Sequence, residues 1–175
     1  MGAVTRLSIA VWPPGDVVAA LSALDRPVVL GVRWSTPEQW MVKVRPLGHV
    51  RDRITPRLVA GLGIALDGAP SVECILGPAT RRLDGWLGAP VSGLANLAAV
   101  VFEATEELVP VTHPQPFQAN IVLARGQVPR ELAGQPVSAS WEARSVSLVA
   151  DRSSPRAFRY DDLAVIPLGA SQDMT

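Results

Sequence analysis

The feature that most constrains the fold of this chain is a short motif that occurs twice, once in each half. The first copy lies in Pro37–Gly48 and the second in Pro116–Arg125. Both read Pro-x-Gln, followed by variable residues that alternate with valine, isoleucine or leucine, and an arginine follows the alternation. A period of two is typical of a strand with one buried face. The repeat therefore predicts two equivalent strands, one in each of two related halves, with a cleft between them.

The composition predicts a globular protein without a strong overall electrostatic field. Hydrophobic residues make up 48% of the 175 residues, which is enough for a sizeable core. The 16 basic and 16 acidic residues cancel, so we expect neither the charge of a typical nucleic-acid-binding protein nor attraction to a membrane surface. Any binding of an anion must therefore use local charges, and Lys43 is the only lysine.

The cysteine and hydropathy patterns exclude further classes of protein. Cys74 is the only cysteine, which excludes an internal disulfide and a cysteine-based zinc cluster, and we interpret it as a small buried residue. No apolar segment reaches the ~18 residues of a membrane-spanning helix, and the N-terminus lacks the pattern of a signal peptide. We expect a cytoplasmic protein that needs no metal or other cofactor.

Apolar periodicity predicts strands with three helices between them. Helices are predicted to begin near Asp16, near Thr55 or Asp52, and near Ser92, where apolar residues recur at helical spacing. The first motif strand is predicted to end at Pro46 and Gly48. Beside the two motif copies, strands are predicted over residues 6–12, 28–34, 71–76, 83–87, 137–150 (one long strand or a bent pair) and 158–168.

This order of elements predicts one α+β domain over residues 1–175. We expect two lobes, each with a mainly antiparallel sheet and outer helices, related by a pseudo-twofold axis around a central cleft. Residues from about 170 to 175 are predicted to form a flexible tail.

Strand geometry selects the candidate site residues, because successive residues of a strand face opposite sides of the sheet. In the first copy, Met41, Lys43 and Arg45 are predicted to face the cleft. In the second copy, Asn120 and Val122 are predicted to do so. The candidate ligand-binding residues are Lys43, Arg45, Asn120 and Arg125.

Short segments along almost the whole chain resemble, in the same order, segments of one family. They are Arg6–Pro14, Arg33-Trp34, Pro37–Gln39, Leu47-Gly48, Pro116–Gln118, Leu123–Arg125, Tyr160 and Pro167-Leu168. The family is the two-histidine (2H) phosphoesterases, which include 2′-5′ RNA ligases and cyclic phosphodiesterases. The resemblance implies the same bilobal fold.

The resemblance also implies a mechanism whose residues are missing here. The family carries His-x-Thr or His-x-Ser on each motif strand, and the two imidazoles act as general base and general acid on a phosphodiester or 2′,3′-cyclic phosphate. The corresponding positions hold Met41 and Lys43 in the first copy, and Asn120 and Val122 in the second. Methionine and asparagine do not exchange protons near neutral pH. We therefore predict a catalytically degenerate relative with no catalytic residue at these positions.

The leading functional hypothesis is a binding protein that uses the cleft without turnover. Its ligand would carry a phosphate, as a nucleotide or an RNA end does, and would be held by charge and hydrogen bonds. Lys43 and Arg45 on one strand face are the observation on which this hypothesis depends.

Two alternatives remain open. The first is an active 2′-5′ RNA ligase or cyclic phosphodiesterase with recruited residues, for which His49, His113 and a desolvated Lys43 are the candidates. The second is a protein-interaction module whose cleft is filled because Met41 and Val122 pack against each other.

Overall fold

The computed structural model describes residues 2–111 and 113–169, which contain ten strands and three α-helices. The predicted flexible tail lies outside the described residues. The helices are α1 (Gly15–Ser22), α2 (Thr55–Ala65) and α3 (Ala95–Thr105). The strands are β1 (Val4–Val11), β2 (Val32–Trp34), β3 (Val42–Arg51), β4 (Val72–Leu76), β5 (Arg81–Leu83), β6 (Trp86–Ser92), β7 (Asn120–Gly126), β8 (Ala139–Ala143), β9 (Ser145–Asp151) and β10 (Tyr160–Pro167).

The strands form two antiparallel sheets. Sheet A has four strands in the order β10-β9-β1-β3, and sheet B has six, in the order β2-β7-β6-β4-β8 with β5 paired to β6. The motif strands β3 and β7 therefore belong to different sheets. The predicted α+β class, with two mainly antiparallel sheets, is confirmed.

The helices cover one side of the sheets and bury a common core there. Leu21 of α1, Leu58 of α2 and Val101 of α3 are fully buried in the same apolar cluster as Ile9 of β1. Burial of such a side chain stabilises the fold by ~1.5–3 kcal/mol. Cys74 is also buried in this cluster, as predicted. We call the uncovered side of each sheet its cleft face.

The helix predicted from Thr55 or Asp52 is observed and begins at Thr55, and of the two alternatives for residues 137–150 the structure shows the pair, as β8 and β9. In contrast, the strand predicted from Val28 begins only at Val32. Its partner β7 ends at Gly126, directly opposite Val32, so the preceding residues have no strand with which to pair. No helix in the described residues is long and apolar enough to cross a membrane.

A hairpin replaces the single short strand predicted over residues 83–87. Asp84 and Gly85 both have positive φ, of 44° and 87°, and they form the two-residue turn between β5 and β6. An Asp-Gly pair is a strong signal for this turn. Strand β6 then continues to Ser92, so α3 begins three residues later than predicted, at Ala95.

Strand β3 does not end at Pro46 and Gly48 as predicted, but continues to Arg51. The reason is that β3 is an edge strand of sheet A, and one side of an edge strand has no ladder hydrogen bonds for a proline to remove. Strand β3 also contains two bulges, because Val44 and Leu47 each have no direct partner on β1.

Candidate anion-binding site

The segment between β2 and β3 fixes the two motif strands against each other. The backbone N–H of Ser35 donates to the carbonyl oxygen of Leu123 at 2.8 Å, and its hydroxyl donates to that of Val122 at 2.7 Å. Trp40, with 1% of its surface exposed, donates its indole N–H to the Ser35 hydroxyl oxygen at 2.8 Å. The start of β3 is thereby held at β7, where the two sheets meet.

The charges of Arg6 and Arg125 both act on Lys43, near the start of β3, and we call these three side chains the basic cluster. Lys43 is exposed on the cleft face, yet the protein around it withdraws enough water from its ammonium to lower its pKa. The charges of Arg6 on β1 and Arg125 on β7 lower this pKa further, whereas the carboxylate of Asp151 opposes them. The cluster therefore draws its charges from both sheets.

No ion pair within the described residues neutralises the basic cluster. The ion pairs found there use Arg144, Arg152 and Arg159. Asp151, the acidic neighbour of Lys43, accepts a hydrogen bond from the backbone N–H of Ser153 at 2.9 Å. An excess of positive charge with free N–H groups is suited to an anion with several oxygens, such as a phosphate.

Arg45 does not share the cleft face with Lys43, and the prediction that it does is wrong. Lys43 lies opposite Ala10 of β1, whereas Arg45 lies opposite Ile9, a core residue. Val44 stands between them as the extra residue of a bulge. A bulge interrupts the regular alternation of side chains. Arg45 consequently turns to the helix-covered side of sheet A.

Arg45 is built into the packing of α3 against sheet A. Only 6% of its surface is exposed, and its guanidinium donates to the hydroxyl oxygen of Thr105 at 2.6 Å and to the carbonyl oxygen of Val109. The Phe102 ring centre lies 5.1 Å from the guanidinium carbon. Burial lowers the Arg45 pKa, and the carboxylate of Glu106 opposes this change. Arg45 thus anchors the end of α3.

Met41 lies on the cleft face of sheet A and packs within that sheet. Its surface is 5% exposed, and the rest contacts a small apolar cluster of Ala10, Val149, Trp12 and Tyr160. Trp12 is oriented by its indole N–H, which donates to Asp162 at 3.0 Å. Val122 is not a member of this cluster. The packing of Met41 against Val122 expected for a filled cleft is therefore not observed.

Asn120 begins β7 and carries an unsatisfied amide. Its Oδ1 atom is buried and has no hydrogen-bond partner among the described residues. Gly88 lies beside it: a Cβ atom there would stand 3.4 Å from Oδ1 and 2.7 Å from the Trp86 ring. A buried acceptor without a partner costs ~1–3 kcal/mol. Because Oδ1 has essentially no exposed surface, a ligand in the cleft could reach it only after a change in the side-chain conformation of Asn120.

The two histidines lie in different settings. His49 is exposed on β3, directly opposite Arg6, and therefore on the same face as the basic cluster. His113 is exposed in the connection between α3 and β7. Within residues 2–111 and 113–169, no hydrogen bond orients either imidazole, and no group of three or more His, Cys, Asp or Glu side chains could hold a metal ion.

Sequence reasoning missed Arg6 as a site residue, because its segment served only to support the resemblance. A signal was present: Arg6, Ser8 and Ala10 alternate with Leu7 and Ile9. This pattern places Arg6 on the side of β1 that faces away from the core.

Comparison with solved structures shows a common fold. LigT of E. coli complexed with 3′-AMP has a TM-score of 0.80 and 19% identity, over 95% of this chain and 99% of LigT. TT0787 of Thermus thermophilus has a TM-score of 0.77 and 23% identity, over 93% of this chain and 97% of TT0787. A phosphoesterase structure has a TM-score of 0.80 and 20% identity, over 95% of this chain and 99% of the phosphoesterase. No family model and no curated protein sequence matches the chain. The chain therefore has the same fold as these solved structures.

Proposed function

We propose that this protein binds a phosphate-bearing ligand, a nucleotide or an RNA end, in the cleft and does not turn it over by a two-histidine mechanism. The observation that carries the proposal is the basic cluster of Arg6, Lys43 and Arg125, which draws on both sheets and lacks an ion pair in the described residues. LigT of E. coli, whose fold this chain shares, forms complexes with 3′-AMP, phosphate and ATP.

The proposed lack of turnover rests on the residues at the two motif positions. Met41 and Asn120 stand where the family has its histidines, and neither side chain transfers a proton near neutral pH. A general acid and a general base each contribute roughly 10²–10⁴ in rate. Lys43, at the position of the first hydroxyl, still holds a phosphate through its charge.

Binding is tested by calorimetric titration with 3′-AMP and with inorganic phosphate. A charge-assisted hydrogen bond is worth about 1.5–3 kcal/mol. Lys43→Ala and Arg125→Ala should therefore each lower the affinity for both ligands by roughly 10-fold or more. Arg57→Ala, at an exposed arginine of α2, is the matched control and should leave both affinities unchanged. Absence of saturable binding, or an unchanged affinity in Lys43→Ala, would refute the proposal.

One observation favours a second candidate function, a phosphodiesterase with a recruited histidine. His49 lies opposite Arg6, on the face of the basic cluster. Incubation with 2′,3′-cyclic AMP separates the candidates: we expect no hydrolysis above the uncatalysed rate. Hydrolysis that disappears in His49→Ala would establish the second candidate, and hydrolysis that survives His49→Ala and His113→Ala together would implicate neither histidine. The cytoplasmic location stays a prediction.

A further inference from the structure

Helices α2 and α3 carry very few charges for helices at a protein surface. Each contains one charged residue among 11, Arg57 in α2 and Glu103 in α3. The exposed face of a surface helix is normally polar or charged. Here it includes Ile64, with 80% of its surface exposed, and Val100, with 41%. We call Arg57, Ala60, Ile64, Val100 and Glu103 the outer face.

The helical spacing of α2 places its part of the outer face on one stripe. Arg57, Ala60 and Ile64 stand at positions i, i+3 and i+7, so their side chains lie on the same side of the helix. Leu58 and Leu62, on the opposite side, are fully buried in the core. The stripe therefore faces away from the protein.

The outer face continues from α2 onto α3, because the two helices are in contact. Gly61 follows Arg57 by one helical turn, and a Cβ atom at Gly61 would stand 3.5 Å from the carbonyl oxygen of Ala104. Val100 precedes Ala104 by one turn, and the exposed Glu103 follows Val100 by one turn. Apolar side chains of both helices therefore form one surface, with a basic and an acidic residue beside them.

Neither charge of the outer face is neutralised by an ion pair within the described residues. The ion pairs found there use Arg144, Arg152 and Arg159, and not Arg57 or Glu103. A surface with one residue of each sign beside apolar side chains is complementary to itself when a twofold axis relates two copies. A partner of a single charge sign would place a like charge against one of the two residues. The charge pattern therefore favours a second copy of this chain.

We propose that the outer face is the interface of a symmetric homodimer. In this dimer, Ile64 and Val100 of the two copies pack together, and Arg57 of each copy pairs with the partner's Glu103. The helices cover the side of the sheets that lies away from the cleft face. Both clefts therefore stay open in the dimer, and the proposal does not depend on the proposed function.

Sedimentation equilibrium across the micromolar range tests the proposal. The mass of the unaltered protein should approach twice the chain mass of 18.6 kDa as the concentration rises. Ile64→Asp should raise the dissociation constant by about 10-fold or more, because the dimer would bury a carboxylate without a partner. Val28→Asp is the matched control. Val28 is fully exposed but lies between α1 and β2, so this variant should still form the dimer.

Charge reversal tests the pairing across the interface. Arg57→Glu and Glu103→Arg should each raise the dissociation constant by about 10-fold or more, because each change places like charges opposite each other in two symmetric contacts. The double variant Arg57→Glu/Glu103→Arg should return to within about 3-fold of the unaltered protein. All the substituted side chains are exposed, so the variants should fold, which circular dichroism checks.

The outcomes support or overturn the interface. Dissociation in Ile64→Asp and in each single charge reversal, with recovery in the double variant, supports it. A monomer at every concentration overturns the proposal, even if another protein binds this face. A dimer that persists in Ile64→Asp, or that Val28→Asp also disrupts, overturns the assignment to α2 and α3. Failure of the double variant to recover overturns the pairing of Arg57 with Glu103.

Discussion

Replacement of Arg45 by alanine should destabilise the fold without affecting ligand binding. The guanidinium donates two hydrogen bonds, to Thr105 and Val109, and each charge-assisted bond contributes ~1.5–3 kcal/mol. It also lies beside the C-terminal end of α3, where a positive charge is favourable. Removal of a buried charge recovers part of its desolvation cost, which reduces the sum. We expect a net loss of about 2–4 kcal/mol in the free energy of unfolding.

Urea unfolding, followed by the fluorescence of the five tryptophans, measures this loss. The midpoint should fall while the slope with denaturant stays constant, because the surface exposed on unfolding is nearly unchanged. Lys43→Ala is the control. The lowered Lys43 pKa means that the folded state disfavours the charged ammonium. Removal of the Lys43 side chain should therefore leave the free energy of unfolding equal or slightly higher at neutral pH.

Two results would contradict this account of Arg45. One is an unfolding free energy in Arg45→Ala within about 0.5 kcal/mol of the unaltered protein, which is the range of ordinary surface substitutions. The other is a loss of 3′-AMP affinity as large as that of Lys43→Ala in a variant that remains folded. Arg45→Met, which keeps apolar volume but neither charge nor donors, should lie between Arg45→Ala and the unaltered protein in stability.

The same geometry gives three further predictions. Desolvation and the neighbouring arginines lower the Lys43 pKa, so the affinity for 3′-AMP should fall as the pH rises toward the usual lysine range. Lys43→Arg should retain its affinity at that pH. Parallel pH profiles of the two proteins would argue against a role for the ammonium. Gly88→Ala places a Cβ atom 2.7 Å from the Trp86 ring, so it should cost roughly 1–3 kcal/mol and alter the near-UV circular dichroism. Burial raises the pKa of the Cys74 thiol to about 11, so a disulfide reagent at pH 8 should react only on unfolding; rapid reaction of the native protein would disprove its burial.

The sequence predicts those parts of the fold that depend on local periodicity. Helix α2 follows from apolar spacing, which also predicted strand structure, one long strand or a bent pair, where β8 and β9 lie. The two motif copies do lie on strands of different sheets. The course of β3 beyond Pro46 was not predictable in the same way, because it depends on the position of β3 at an edge, which is a property of the assembled sheet.

The candidate site was predictable only in part. Lys43 and Arg125 occur in the motif copies, and the structure brings both into the basic cluster. Arg45 was misplaced because residue counting assumes regular alternation, and the bulge at Val44 breaks it. A pocket of about 540 Å³ at the end of sheet B could not be predicted at all, since its lining residues, which include Pro78, Leu94 and Phe117, meet only in the folded chain.

The bulge at Val44 also bears on how the length of this strand can vary. Val44 has no partner on β1, and Lys43 and Arg45 on either side of it are paired with adjacent residues of β1. Deletion of Val44 would therefore restore regular pairing and leave Lys43 toward the cleft and Arg45 toward α3. A relative that lacks one residue here could keep the same site, so sequence alignments of β3 should permit a one-residue deletion between Lys43 and Arg45.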